Sequence, residues 1–371
     1  MKILMLNYEF PPLGGGAGNA TFYILKELAQ HKHLQIDLVT SSIDKYKEEQ
    51  FSDNIKIYFL DIGKTGNLHY QTNKDLIIYA IKSYFFGKSL LKENTYHLCH
   101  TFFGIPCGFV AMNLNIPYIV SLRGSDVPFY NQRFYWLDEL FFKRLSKKIW
   151  GNSLRVIANS NGLKELALKS LPSQKIGVIC NGIDTNQFKP NFTKSDTLRI
   201  LCISRLIARK GLEYLIKAIA ELKQYNIKLI IVGQGDQGKK LKKLVFALGI
   251  SSKVEFKDYI ARHFIGEIYN NSDIFVLPSL NEGMSNAVLE AMASGLPIVL
   301  TDTGGTAELL NANGFIVPKK DPQAIAQTLQ KFLEDRQLVF QMGKRSREIV
   351  EGMGWQNIAE AYYRLYNEVG K

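Results

Sequence analysis

Cysteine is scarce in this chain: four residues in 371, Cys99, Cys107, Cys180 and Cys202, far apart and with no Cys-x-x-Cys pair. That spacing argues against a zinc ribbon or a disulfide framework and predicts buried free thiols in a reducing compartment. Long apolar runs are lacking too. The window Leu76 to Phe86 is broken by Lys82 and falls short of the ~20 residues a membrane-spanning helix needs. The first apolar residues, Ile3 to Leu6, run straight into Asn7, Glu9, Pro11 and Pro12, a stretch too short for a signal peptide. The expectation is a cytoplasmic protein whose membrane contact, if any, is peripheral on the inner face. No low-complexity tract or repeat is visible, which sets aside disordered and solenoid architectures.

What is present is an ordinary globular composition, 46% apolar and 22% charged, with a formal net charge of +12. The charge favours an anionic partner without naming one. No basic recognition motif accompanies it, so nucleic acid is not expected. The length exceeds what one hydrophobic core usually serves and predicts two domains. Short β-branched runs alternate with amphipathic helical segments throughout, the pattern of parallel sheets flanked by helices. Strands are predicted at Lys2–Tyr8, Ile36–Ser41, Ile55–Asp61, His97–Phe102, Pro117–Arg123, Arg155–Asn159 and Ile176–Cys180. A second set follows at Leu198–Ser204, Lys228–Val232, Lys253–Phe256, Ile274–Pro278, Pro297–Thr301 and Phe315–Pro318. Between the sets, Asp184 to Thr197 is polar and aperiodic and reads as an interdomain linker. The expected division is 1–184 and 185–352, with a C-terminal helix at about 353–371 packing back on the first domain. Two doubly wound domains facing across a cleft would bind ligands at the carboxyl ends of their strands.

Three segments at such ends carry chemistry. The first strand runs into Pro11-Pro12-Leu13-Gly14-Gly15-Gly16-Ala17-Gly18 before a helix. There Gly15 and Gly16 would let backbone amides approach an anion, although a tight turn that binds nothing fits as well. In the second domain, Ser204-Arg205-Leu206 and Arg209-Lys210-Gly211 place Arg205 at a strand end and Lys210 at a helix start. Together they could hold a pyrophosphate and stabilise the charge growing on it as it leaves. The third segment, Ser279 to Met292, puts Glu282 in a loop and Glu290 one turn into a helix that starts near Ser285 or Asn286. The amides of Gly283, Met284 and Ser285 would face a phosphate, and the carboxylates would accept from adjacent hydroxyls. A catalytic acid/base pair is the rival reading of the two glutamates.

The Gly-rich loop, Ser-Arg-Leu with Arg-Lys-Gly, Asn181-Gly182-Ile183-Asp184, and Glu282 to Glu290 continued by Ala291-Met292-Ala293-Ser294-Gly295-Leu296-Pro297 together resemble the retaining family 4 glycosyltransferases of the GT-B fold. The resemblance implies an α/β, GT-B architecture and a hexose-type transfer from a UDP- or GDP-sugar to a glycan, glycolipid or lipid-linked acceptor. It further implies that Arg205 and Lys210 hold the pyrophosphate, Glu282 the donor sugar and Glu290 the ribose. Gly233, Gly235 and Tyr259 would surround the base, with Gly283, Met284, Ser285 and Asn286 at the phosphates. No dedicated base, cofactor or metal is implied, in keeping with the lack of an Asp-x-Asp motif; the nucleotide sugar is a co-substrate. Two departures stand out. Many relatives have histidine where Arg123 precedes Gly124-Ser125-Asp126, and glycine where this chain has Lys257. Arg123 cannot serve as a base and is expected to stabilise charge or, with Asp126, to position the acceptor.

Other features remain open. His100 ends a strand candidate and is an acceptor-contact candidate. Two basic, aromatic stretches, Ile77 to Lys92 and Arg133 to Trp150, could lie on an anionic membrane; in the second, Phe134, Leu137, Phe141, Leu145 and Ile149 recur at helical spacing. A helix packed on its own sheet gives the same pattern. Gly233-Gln234-Gly235-Asp236-Gln237-Gly238 fits Gly-x-Gly-x-x-Gly, so an NAD(P)-dependent oxidoreductase is the alternative of another class. It would leave Arg205, Lys210, Glu282 and Glu290 without a task. A glycosyltransferase acting on a small soluble acceptor is a further alternative.

Overall fold

The computed structural model describes residues 1–65, 68, 71–130, 135–192, 196–258, 260, 264–305 and 307–370. The chain divides into two compact units, 1–182 together with 355–371, and 183–354. Tyr259, Arg133 and Phe134 lie outside the described residues.

The first unit runs β1 (Lys2–Leu6), α1 (Gly16–Leu28), β2 (Gln35–Ser42), β3 (Lys47–Ser52), β4 (Ile55–Asp61), α2 (Asn73–Glu93), β5 (Leu98–Phe102), α3 (Phe109–Leu114), β6 (Tyr118–Leu122), α4 (Tyr135–Leu137), α5 (Lys143–Gly151), β7 (Arg155–Ala158), α6 (Asn161–Ser170) and β8 (Ile176–Val178). Its sheet has the order β3-β4-β2-β1-β5-β6-β7-β8. Every pair is parallel except β3 with β4. β3 is an addition to the expected strands: Lys47-Glu48-Glu49-Gln50 has no apolar alternation, because it forms an exposed edge. β5 and β6 are buried from end to end and β1 from Ile3 onward, as a sheet covered on both faces requires.

The second unit runs β9 (Leu198–Ile203), α7 (Leu212–Glu221), β10 (Ile227–Val232), α8 (Gly238–Ala247), β11 (Val254–Lys257), α9 (Ile265–Asn270), β12 (Ile274–Leu277), α10 (Asn286–Ala293), β13 (Ile298–Thr301), β14 (Gly314–Val317), α11 (Pro322–Glu334) and α12 (Gln337–Glu351). Its six strands are all parallel, in the order β11-β10-β9-β12-β13-β14. The last helix, α13 (Trp355–Val369), returns to the first unit. There Trp355 stacks on Tyr23, and Tyr362 and Tyr366 are fully buried.

The segment read as an interdomain linker belongs to the second unit and is packed into it. Phe188 is completely buried, and the Arg347 guanidinium donates to the carbonyls of Thr185, Phe188 and Ala293 at 3.1, 2.8 and 2.9 Å. Its polar composition reflects these backbone anchors rather than mobility. Among the described residues no helix is long and apolar enough to cross a membrane.

Candidate functional site

In each sheet the strand order reverses once, beside β1 in the first unit and beside β9 in the second. Crevices outside the carboxyl ends of the strands at such points are where doubly wound sheets take ligands. The sequence motifs lie at these two places.

In the second unit, β9 ends at Ile203 and the chain leaves the sheet through Ser204 and Arg205, with Arg205 exposed. Two glycines on the neighbouring loop make this path available. A Cβ on Gly233, which has φ +142°, would meet Ser204 O at 2.0 Å, and one on Gly235 would meet Leu206 O at 2.3 Å. The two loops are joined by Leu206 N donating to Gln234 O at 2.8 Å and Gln237 N donating to Leu206 O at 2.9 Å. Gly233 and Gly235 therefore shape the loop that carries Arg205. That explains the glycine spacing without a dinucleotide.

A short 3-10 turn, Ala208–Lys210, then presents Lys210, and Gly211 turns the chain into α7 with φ +64°. Leu280 N donates to Arg209 O at 2.7 Å, so the loop after β12 is fastened to this turn. The fastening brings Lys210 Nζ onto Glu282 Oε2 in a largely buried ion pair, which also accepts from Ser279 Oγ at 3.2 Å. The pair is 72 residues apart in sequence. Glu282 is further braced by an isolated parallel bridge to Gly304.

α10 begins at Asn286 with Ser285 as its extended N-cap, and Gly283, Met284 and Ser285 are buried just ahead of it. Its amino end follows Glu282 of the Lys210–Glu282 pair in the same loop and carries the positive end of the helix dipole. Glu290 lies further along the helix, half-buried, with Tyr269 Oη 2.9 Å from Oε2. Tyr269 was not foreseen: it comes from α9, where nothing in the sequence marks it as a carboxylate partner.

In the first unit, Gly15 and Gly16 form the exposed start of α1. The Gly15 amide donates to the carboxylate of Glu9 at 3.1 Å, and a Cβ on Gly14, with φ +94°, would collide with the Glu9 side chain. A residue that the motif reading passed over thus occupies this amide. Arg123 directly follows β6. It donates from Nη1 to Asn181 Oδ1 at 3.0 Å and from Nη2 to Tyr362 Oη at 3.3 Å, and it lies over the Phe102 ring at 4.5 Å. Asp126 turns inward: its carboxylate accepts from the backbone amides of Gly104, Arg123 and Gly124 at 2.7, 2.9 and 3.0 Å. Burial raises its pKa against those hydrogen bonds. The carboxylate thus holds the loop that carries Arg123.

His100 turns inward as well. It is fully buried, with Nδ1 at 2.6 Å from Tyr366 Oη and Nε2 at 2.8 Å from Ser121 Oγ. Both ring nitrogens are engaged by the core and by α13. Burial, aided by the Arg123 charge, pushes its pKa well below 6.5 and keeps it neutral.

The basic aromatic stretches divide. Ile149 and Trp150 are buried, but Tyr135, Trp136, Leu137, Leu140 and Phe141 are exposed, Trp136 at 75% and Leu140 at 67%. Exposed Arg144, Lys147 and Lys148 follow them. On α2, Ile77, Ile81 and Phe85 form an exposed apolar line at i, i+4 and i+8, with Lys74, Lys82 and Lys88 also exposed.

Two parallel α/β units, with a cation–carboxylate site at the strand ends of the second, place the protein among the GT-B glycosyltransferases. A family model described as Glycosyltransferase Family 4 matches residues 14–187, and one described as Glycosyl transferases group 1 matches residues 183–349. The chain belongs to glycosyltransferase family 4. It is similar to an uncharacterised glycosyltransferase of Methanocaldococcus jannaschii, at 28% identity over 99% of this chain and 98% of that protein. A GDP-mannose-dependent alpha-(1-6)-phosphatidylinositol monomannoside mannosyltransferase of Mycobacterium tuberculosis is 27% identical over 51% of this chain and 54% of its own. Among solved structures, sucrose-phosphate synthase from Thermosynechococcus elongatus shares the fold, with a TM-score of 0.86 at 22% identity over 99% and 98% of the two chains.

Proposed function

We propose that this glycosyltransferase moves a hexose-type sugar from a UDP- or GDP-sugar to a hydroxyl of a glycan, glycolipid or lipid-linked acceptor, with retention of anomeric configuration and without a metal. The observation that carries the reading is the buried Lys210–Glu282 pair at the ends of β9 and β12, with Glu282 in the loop that leads into α10. In the structure the cation and the carboxylate satisfy each other. With donor bound, Lys210 and Arg205 would turn to the pyrophosphate, and Glu282 would be released to accept from sugar hydroxyls.

In this reading the cations neutralise the leaving phosphate, and the amides from Gly283 to Asn286 add to that field. Glu290, oriented by Tyr269, takes the ribose hydroxyls. The departing phosphate oxygen receives the acceptor's proton as the new bond forms on the same face, so no side chain serves as general base. A lipid-linked acceptor is favoured by the exposed apolar residues on α2 and at 135–141 with their flanking cations, which suit an anionic membrane surface. The mannosyltransferase relative, whose name includes a phosphatidylinositol mannoside, is consistent with that choice.

The test is a thermal-shift screen of UDP, GDP, ADP and their sugars, followed by a transfer assay with product anomers read by NMR. Lys210→Ala and Glu282→Ala are each expected to lower kcat by about 10²–10³-fold while the protein stays folded. Near-normal turnover by either variant would overturn the site assignment, and an inverted product would overturn the stereochemistry.

A further inference from the structure

Among the described residues the half-buried guanidinium of Arg123 has no ion-pair partner. Of the five N–H groups an arginine carries, one goes to the amide oxygen of Asn181 and one to the hydroxyl of Tyr362. Both are neutral acceptors. Nε is shut off from water and has no hydrogen-bond partner among the described residues. None of the ion pairs among the described residues includes Arg123. The acid next to it in sequence, Asp126, is committed to three backbone amides. One face of the guanidinium is covered by Phe102. Charges taken out of water are ordinarily paired, because the desolvation cost is otherwise uncompensated.

The position is also one where ligands bind. Arg123 is the first residue beyond β6, next to β5 and one strand from the reversal of strand order beside β1. Phe103, which follows the ring beneath the guanidinium, has φ +74°, a conformation disfavoured for a bulky residue and commonly retained at functional sites. Asn181 and Tyr362, 58 and 239 residues further along the chain, hold the guanidinium. Two such distant neutral partners orient the cation without neutralising it.

We infer that Arg123 recognises an oxyanion, a phosphate or a carboxylate, carried by the acceptor. This deepens the reading proposed above, since it rests on the first unit being the acceptor side. The substrate class is then an anionic acceptor, with its charged group paired to Arg123 as the hydroxyl is glycosylated. A neutral hexoside would leave the guanidinium uncompensated.

The decisive variant is Asn181→Asp, which sets a carboxylate where the Asn181 amide oxygen lies 3.0 Å from Nη1 and so supplies the missing counter-charge from within. The full-length protein is titrated with inorganic phosphate and with acetate, followed by thermal shift and tryptophan fluorescence. Wild type should respond to one of them, which distinguishes phosphate from carboxylate. Asn181→Asp should melt no lower than wild type and bind that anion about tenfold more weakly or worse. Lys210→Gln should leave an anion response. In the Lys210→Gln background Arg123→Gln should lose the remaining anion response and Arg123→Lys should recover part of it.

In turnover, wild type should prefer a hexose phosphate or a hexuronide over the neutral hexoside in kcat/KM by about tenfold or more, and Asn181→Asp should abolish that preference. The inference is overturned if neither anion acts on wild type, if Asn181→Asp binds the anion as wild type does, or if Lys210→Gln alone removes the response. UDP and GDP are titrated in parallel. Failure of both to bind wild type would sink the donor reading, whereas their binding with no acceptor-charge preference would sink only this inference.

Discussion

At the scale of single residues, His100 shows how a motif reading and a structure can diverge. A histidine at a strand's carboxyl end suggests a ligand contact, but its side chain points into the first unit between Ser121 and Tyr366. Its folded-state pKa lies below the unfolded value of 6.5, so the unfolded chain binds the extra proton and stability falls as pH drops through 6.5. Urea denaturation between pH 7.5 and 5.5 should show the wild type losing stability with a slope approaching about 1.4 kcal/mol per pH unit at the acid end. In His100→Gln the profile should be flatter over that window; an unchanged slope would mean that His100 protonates freely in the folded state. Lys210, Glu282 and Glu290 are the opposite case. Lys210 and Glu282 lie in the loops that follow β9 and β12, and Glu290 lies within α10, as the motif spacing predicts. Their partners were less legible. Ser279 is three residues from Glu282, but Tyr269 is 21 from Glu290 and on another helix.

At the scale of elements, almost every strand was readable, since buried parallel strands are continuous apolar runs bounded by polar loops. β3 escaped because its side chains face solvent along an edge and leave no apolar imprint. The glycines between strands were legible as loops, but only the structure distinguishes those that approach a ligand from those that approach the chain itself. Gly233 belongs to the second kind. With φ +142° and Ser204 O 2.0 Å from its would-be Cβ, Gly233→Ala is expected to cost about 2–4 kcal/mol. The apparent melting temperature of the second unit should fall by roughly 2–4 °C per kcal/mol. Nucleotide affinity should fall with it, because the Ser204–Leu206 loop carries Arg205. A melting temperature within one degree or so of wild type would show that the loop yields more easily than a parallel-sheet connection should.

At the scale of the whole molecule, the chain forms two doubly wound units, and the first displays apolar surface next to cations. If that surface meets a bilayer, the full-length protein should co-sediment with vesicles containing anionic lipid and be released by high salt. Replacing Trp136 and Leu140 by serine should weaken the association by about tenfold. Equal sedimentation with neutral vesicles, or none at low salt, would remove the membrane from the proposal. What the sequence determined by itself was local: the fold class, the strands, the turns and the residues at strand ends. Those depend on periodicity and on chemistry within one loop. Only the tertiary structure decided which side chains of α13 enter the core of the first unit, that Asp184 to Thr197 is anchored by Arg347, and that Arg123 is held by neutral partners far away in the chain. Such pairings are set by the packing of whole helices against a sheet, and no pattern within a short window records which distant side chain completes a site.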